Sequence, residues 1–229
     1  MKSQKDKIGI DFIDNLMQGG LPSKTALLIE GTSGIGQNVM LYQFIYEGIK
    51  NNEKCIYLFS GHMIDEILDE FESYGIEVKE KDIVWIDASS SNENAIQCDL
   101  SELYTVSSAI KNVLSSRKKN EKIRFATDAV SPMLMANNPA EVYKFLSSLI
   151  TELKKADALS MFIIEDAMHE PQVTASIEQL CDGVIELKAI ERDLEIETVM
   201  KIKKMKNIPP FQKYFKYKVT EEGIIEKRE

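Results

Sequence analysis

Apolar residues along this chain fall into short continuous runs that alternate with stretches of helical period. The runs TALLI (25–29), CIYLF (55–59), IVWID (83–87), IRFAT (123–127) and ALSMFII (158–164) have the length and composition of strands buried on both faces. Between them, Met40, Phe44, Ile45 and Ile49 share one helical stripe closed by Asn51 and Asn52, and Ile64, Ile67, Leu68 and Phe71 share a second that stops at Gly75, as at a helix C-cap. Leu103, Val106, Ile110, Val113 and Leu114 make a third. Val142, Phe145, Leu146, Leu149 and Leu153 make a fourth, opened by Asn138 and Pro139 as N-cap and first-turn residues. Residues 89–94 read as a polar loop and RKKNEK (117–122) as a charged turn. Such β-α alternation calls for a parallel sheet covered by helices on both faces.

The tail follows another rule. GVIELKAI (183–190), a turn at 191–193 and EIETVMKIKKM (195–205) alternate apolar and polar residues as a half-exposed antiparallel hairpin does, and a short strand at 215–219 with a turn at Gly223 completes it. The predicted class is α/β: a mainly parallel core over residues 25–187 with an antiparallel extension over 188–229, in one domain. No internal repeat or low-complexity linker interrupts it.

Composition narrows the function classes. The 229 residues are 44% hydrophobic, enough for one well-buried core, yet no 18-residue apolar stretch exists, and MKSQKDKIG lacks the apolar segment of a signal peptide. A cytoplasmic protein without a membrane span is expected. Cys55, Cys98 and Cys181 are too far apart for a short-spaced zinc pattern and odd in number, so they read as core or surface thiols. A net charge of −9 and pI near 5.0 work against coating a polyanion, and only residues 201–218 are locally basic.

The chemistry-bearing segment is GTSGIGQN, between the first strand run and the first helical stripe. Gly31, Thr32, Ser33, Gly34, Ile35, Gly36, Gln37 and Asn38 place glycines at the first and sixth positions of a phosphate-binding loop, but positions seven and eight are not lysine and a hydroxyl residue. The amides of Gly34, Ile35 and Gly36 can still form an anion-accepting nest at a helix N-terminus, so weak phosphate, sulfate or ATP/Mg binding stays open. Lys24 precedes the strand and lies at its opposite end, out of reach. His62 and His169 sit after strands with no second ligand at metal spacing, and each reads as an ordinary polar residue.

Several landmarks carry a family resemblance. GIDFIDNLMQGGLPSKTALLIEG, EGIKNNEKCIYLF, TDAVSPMLMANNPAEVYKFLSSL, CDGVIEL and KKMKNIPPF...KVTEEGI occur in the order and spacing of KaiC-like ATPases of the RecA superfamily, and the chain resembles that group over nearly its whole length. The resemblance implies a P-loop NTPase fold, with a helix and a Gly-Gly-Leu-Pro turn in residues 1–24.

It also makes the departures informative. In active relatives a lysine at position 37 reaches the β- and γ-phosphates and a hydroxyl at position 38 holds magnesium. Replacing that lysine by neutral Gln37 removes a charge worth about 4 kcal/mol at contact with an effective dielectric near 20. The family's glutamate pair after the second strand aligns with Gly61 and His62. Asp128 matches the carboxylate that supports magnesium, and equally reads as a turn or helix cap. KKMKN resembles the Lys-Met-Arg-Gly segment that reaches a neighbour's phosphates in ring-forming relatives: Lys204 is kept, Lys206 stands where arginine would, and Asn207 replaces glycine. Alternating strand lysines also serve solubility.

Together these features predict an inactivated member with a vestigial nucleotide site, acting as a regulatory or assembly subunit. An ATPase with atypical phosphate ligands is the alternative, and a recombinase-like DNA-binding module fits the acidic charge less well. A protein partner, or a homo-oligomer, would dock on Phe12, Ile13 and Leu16, on Phe211, Tyr214 and Phe215, or on an edge of the hairpin; the same side chains could instead complete the core.

Overall fold

The computed structural model describes residues 5–89, 91–192, 195–209 and 211–227. Residues 1–4 of the amino-terminal segment, Ser90 of the polar loop, Asp193 of the expected turn, Pro210 of the KKMKNIPPF segment and residues 228–229 lie outside them.

A two-stranded ribbon, β1 (Lys5–Asp6) with β2 (Leu21–Pro22), brackets α1 (Asp11–Leu16). The chain then builds β3 (Ala26–Gly31), α2 (Gln37–Lys50), β4 (Lys54–Phe59), α3 (Ile64–Ser73), β5 (Ile83–Asp87), β6 (Ile96–Gln97), α4 (Leu103–Ser115) and β7 (Ile123–Thr127). Next come α5 (Val130–Ala136), α6 (Pro139–Lys155), β8 (Leu159–Glu165), α7 (Pro171–Leu180), β9 (Gly183–Arg192), β10 (Glu195–Met205), β11 (Phe215–Thr220) and β12 (Gly223–Glu226). One ten-stranded sheet runs β12-β11-β10-β9-β3-β8-β7-β4-β5-β6, parallel from β9 to β6 and antiparallel from β9 to β12.

Helices cover both faces because the parallel strands are apolar on both. On β3, Leu27 and Ile29 join the core under α1, α2 and α3, whereas Ala26 and Leu28 join the core under α4 to α7. The Asn138 carboxamide accepts the Ala140 amide at 2.9 Å and starts α6 as its N-cap. Gly75, at φ +67°, follows α3 where the sequence places a stop. All three cysteines are buried, and none forms a disulfide among the described residues.

The structure adds or moves several elements. Helices α5 and α7 carry no stripe long enough to read, since α5 has seven residues and α7 buries only Thr174 and Ile177. Glu191 and Arg192 stay in β9, paired with Ile196 and Glu195, so the strand runs two residues into the segment read as a turn. Gly223 opens a further strand, β12, which forms the outer edge of the sheet. The hairpin β9/β10 is therefore not a free edge: β9 lies between β3 and β10, and β10 pairs with β11 at Val199 and Met200. Ile13 and Phe215 are core residues, which removes them from any docking surface, whereas Tyr214 is 47% exposed with Lys201 over its ring.

The tail is fastened to the turn after β3. Gly36, at φ +108°, could carry a Cβ only at 2.8 Å from Ile224 Cδ1 and 2.9 Å from Val219 Cγ2. The Tyr217 hydroxyl donates to the Ile35 carbonyl at 2.5 Å. Gly34, by contrast, has positive φ but open space around it. Gly36→Ala therefore combines backbone strain with overpacking and should cost about 2–4 kcal/mol, while Gly34→Ala should cost about 1 kcal/mol. Thermal melts of the two variants check this; equal losses would show that the tail does not clamp the turn.

Candidate functional site

Open α/β sheets bind ligands at the carboxyl ends of their strands, and here β3, β8 and β7 end side by side at such a crevice. A cavity of ≈ 350 Å³ lies there, lined by Ser33, Gly34, Gly36, Gln37, Asn38 and Val39 from the turn and α2, Glu70, Ser73 and Tyr74 from α3 and its end, Ile163 and Glu165 from β8, and Val219 from β11. A larger hollow of ≈ 660 Å³ between α1, α2 and β12 is lined by none of the turn residues 31–38.

Most of the sequence-derived site residues meet at this cavity, each in a distinct role. Gln37 is buried, and its Nε2 donates to the Thr32 carbonyl at 2.6 Å, so the amide at the lysine position is engaged by the turn's own backbone. Asn38 is exposed. Ile35 turns away from the cavity toward Gly31, whose hypothetical Cβ would meet Ile35 Cδ1 at 3.1 Å and the Leu187 carbonyl at 2.9 Å. Lys24 lies far from the turn as expected, paired with Asp157 at 2.6 Å.

Asp128 stands at the end of β7. It follows Thr127, which is in register with Phe162, and is not among the residues that line the cavity. Asp128 Oδ2 accepts the Tyr57 hydroxyl at 2.7 Å, while Oδ1 is buried without a hydrogen-bond partner among the described residues. It serves as no helix cap: α5 begins with no side-chain cap bond, and the Ala129 amide donates to Thr127 Oγ1. Burial pushes the Asp128 carboxyl up to about 6 against the opposing pull of Tyr57 and His62.

His62 is exposed, and its carbonyl accepts from Asn92 Nδ2 at 3.0 Å. Asn92 belongs to the polar loop that Asp87 organises, accepting the amides of Ser89, Ser91 and Asn92 and the Asn92 carboxamide. Asn92 Oδ1 in turn accepts the Ile64 amide and fixes the start of α3, the helix that carries Glu70. His169 Nε2 lies 2.9 Å from Ser131 Oγ, and burial holds its pKa below the usual histidine value. No group of three His, Cys, Asp or Glu side chains arranged for a metal ion occurs among the described residues.

Sequence reasoning missed the acidic side of the site. Glu70, on α3, accepts the Tyr42 hydroxyl, and Glu165 ends β8; neither carboxylate forms an ion pair among the described residues. Among the described residues, no lysine or arginine lines the cavity. The strand-end position of Glu165 was a readable signal, but nothing marked Glu70. The basic tail does not supply the missing charge within the chain. Lys204 Nζ donates to the Glu178 carbonyl at 2.5 Å, Lys206 reaches Asp182 at 3.5 Å, and Lys203 bridges Glu30 and Glu178 at 2.7 and 2.8 Å.

The Asp128 geometry carries a pH signature. With its folded pKa raised above the carboxylate's unfolded value, its contribution to stability is fully present below about 4 and is lost as pH rises through about 6. Asp128→Asn should therefore be more stable than wild type at pH 8 by about 1–2 kcal/mol, with the difference vanishing near pH 4. Denaturant melts across that range check it; a pH-independent difference would contradict the buried, unpartnered oxygen.

The sequence model of the KaiC ATPase family matches residues 7–228. A UPF0273 protein of Pyrococcus horikoshii is 25% identical over 235 residues, covering 97% of this chain and 94% of its own length. The circadian clock oscillator protein KaiC of Parathermosynechococcus lividus is 24% identical over 228 residues, covering 96% of this chain and 42% of that longer protein. The crystal structure of a KaiC-like protein from P. horikoshii superposes with a TM-score of 0.79 at 22% identity, over 99% of this chain and 100% of that one. On this match along almost its full length, the chain belongs to the KaiC family.

Proposed function

We propose that this KaiC-family protein is non-catalytic and works as a regulatory or assembly scaffold through protein contacts, with ATP binding lost or much weakened. One observation carries the reading: Gln37, at the position of the phosphate-binding lysine, donates its amide to the Thr32 carbonyl, in a cavity whose only charged lining residues among those described are Glu70 and Glu165. A triphosphate entering there meets carboxylates in place of a lysine. The attraction of about 4 kcal/mol that a lysine would supply at contact is absent, and the loop amides with the half-charge of the helix terminus are left to hold the phosphates alone.

The hydrolytic side of the reading rests on Gly61 and His62, which offer no carboxylate to orient water, and on Asp128, whose magnesium partner at position 38 is Asn38. The ring contact is weakened for a separate reason. Lys204 donates to the Glu178 carbonyl of its own chain and the exposed Lys206 stands 3.5 Å from Asp182, so a nucleotide-dependent grip on a neighbour competes with contacts inside the chain. The exposed Tyr214 and the partly buried Phe12 and Phe211 remain as docking side chains.

The alternative, an ATPase with atypical ligands, draws on the loop glycines and their positive φ values at Gly34 and Gly36, which keep the phosphate-loop path. Isothermal titration with ATP and magnesium separates the two. The scaffold reading expects no saturable heat at micromolar nucleotide and no hydrolysis, and micromolar affinity or turnover abolished by Asp128→Ala would overturn it. Gln37→Lys with Asn38→Thr should tighten ATP roughly 10²–10³-fold, still without hydrolysis.

A further inference from the structure

We propose that Glu30, the residue before the β3–α2 turn, and Lys203 of β10 form a proton-operated latch between the core and the tail. With Glu30 ionised, the Lys203 ammonium fastens β10 to β3. With Glu30 protonated, the ammonium is left to Glu178 of α7, and the tie to β3 slackens. The latch does not rest on the non-catalytic reading and operates with or without nucleotide.

Glu30 shares with Ala26 and Leu28 the sheet face covered by α4 to α7, and it is 1% exposed. Its Oε1 meets Lys203 Nζ at 2.7 Å, but its Oε2 is buried with no hydrogen-bond partner among the described residues. Burying a carboxylate in its charged form is costly unless both oxygens are met, and Glu30 is half met. Its ammonium partner is also divided, because the same Nζ holds Glu178 Oε1 at 2.8 Å. A like charge stands alongside, since Glu30 of β3 is in parallel register with Glu186 of β9. Each feature favours a proton on Glu30. Burial pushes its carboxyl up to about 7 against the pull of Lys203, with the charges of Glu178 and Glu186 adding to the rise.

The neighbouring cations are engaged elsewhere. Lys188 of β9 pairs with Glu186 at 2.9 Å, Lys201 of β10 lies over the Tyr214 ring, and Lys204 donates to the Glu178 carbonyl. Asp166, in the short segment after β8 that packs on β3, adds a further carboxylate, with Oδ1 buried and unpartnered among the described residues. Lys203 itself is placed by a β-bulge. The register of β10 on β9 passes from Ile202 opposite Ile185 to Lys204 opposite Val184, which leaves Lys203 as the extra residue. A bulge re-aims a side chain and interrupts the ladder locally, so a lysine there changes partner without moving the strand register. Its side chain is 31% exposed, which gives water a route to the pair. Because Glu30 directly precedes Gly31, the latch acts at the base of the turn.

The experiment follows the full chain, labelled with ¹³C at its glutamate side chains so that Asp128 stays silent, by carboxyl shifts and ¹H–¹⁵N spectra across the range from acid to alkaline pH. One glutamate carboxyl should titrate near pH 7, and the amides of Gly31, Ile202 and Lys203 should shift with the same midpoint. Glu30→Gln should remove that carboxyl and the amide titration together. Lys203→Met should raise the midpoint by about 1 and Glu178→Gln, which leaves Lys203 to Glu30 alone, should lower it by about 1, while Glu195→Gln on the exposed tail should do neither. With its folded pKa raised, Glu30 contributes stability that is fully present below about 4.5 and lost as pH rises through about 7. Glu30→Gln should therefore resist denaturant better than wild type in alkali and equally in acid. A glutamate carboxyl near 7 that survives Glu30→Gln overturns the latch, as does the absence of any such carboxyl or a Glu30 titration that leaves the β10 amides still. If Lys203→Met fails to fold, the wild-type and Glu30→Gln titrations decide.

Discussion

The carboxy-terminal strands hold the turn after β3 by contact that leaves no room for a single methyl group. Tyr217 donates to the Ile35 carbonyl, and Ile224 and Val219 approach Gly36 so closely that only glycine fits. Because Gly36 is also the N-cap of α2, this contact ties the start of the first long helix to the last strands of the sheet. The path of the turn is thus supported by packing and a neutral hydrogen bond within the chain. A loop built in this way keeps the shape of a phosphate cradle whether or not phosphate arrives.

Charge then decides what the shape is used for. The turn's inner donor, Gln37, is satisfied by Thr32, and the groups facing it across the cavity are acidic. Asp128 has one oxygen held by Tyr57 and one left bare, in surroundings that favour its protonated form. Each feature alone is a local detail. Together they set neutral and acidic side chains around a turn whose backbone follows the path of an anion receptor, which is what supports the scaffold reading.

Much of the fold was legible because its strands are buried on both faces and its long helices carry clear stripes. The runs at 25–29, 55–59, 83–87, 123–127 and 158–164 all became strands of the parallel core, and Asn138 capped its helix as its position implied. What escaped depends on tertiary context. Helix α5 is a single short segment stabilised by burial of Val130, Met133 and Leu134, and β12 is a four-residue strand that exists because β11 pairs with it. Arg124 sat unnoticed in a strand run, yet it is almost wholly buried, paired with Glu53 at 2.7 Å and stacked over Phe44. Of the site, the turn residues and Asp128 could be read in one dimension. Glu70, Tyr42 and Tyr217 come from other elements, and only folding brings them to the turn.

The central claim is that Gln37 completes the turn internally and offers no cation to a nucleotide. The side-chain amide resonances of Gln37 report on this directly, in ¹H–¹⁵N spectra recorded with and without saturating ATP and magnesium. The account predicts slowly exchanging, hydrogen-bonded amide signals whose positions do not move on addition of nucleotide. A saturable shift of those signals, accompanied by shifts at Gly34 and Gly36, would contradict it.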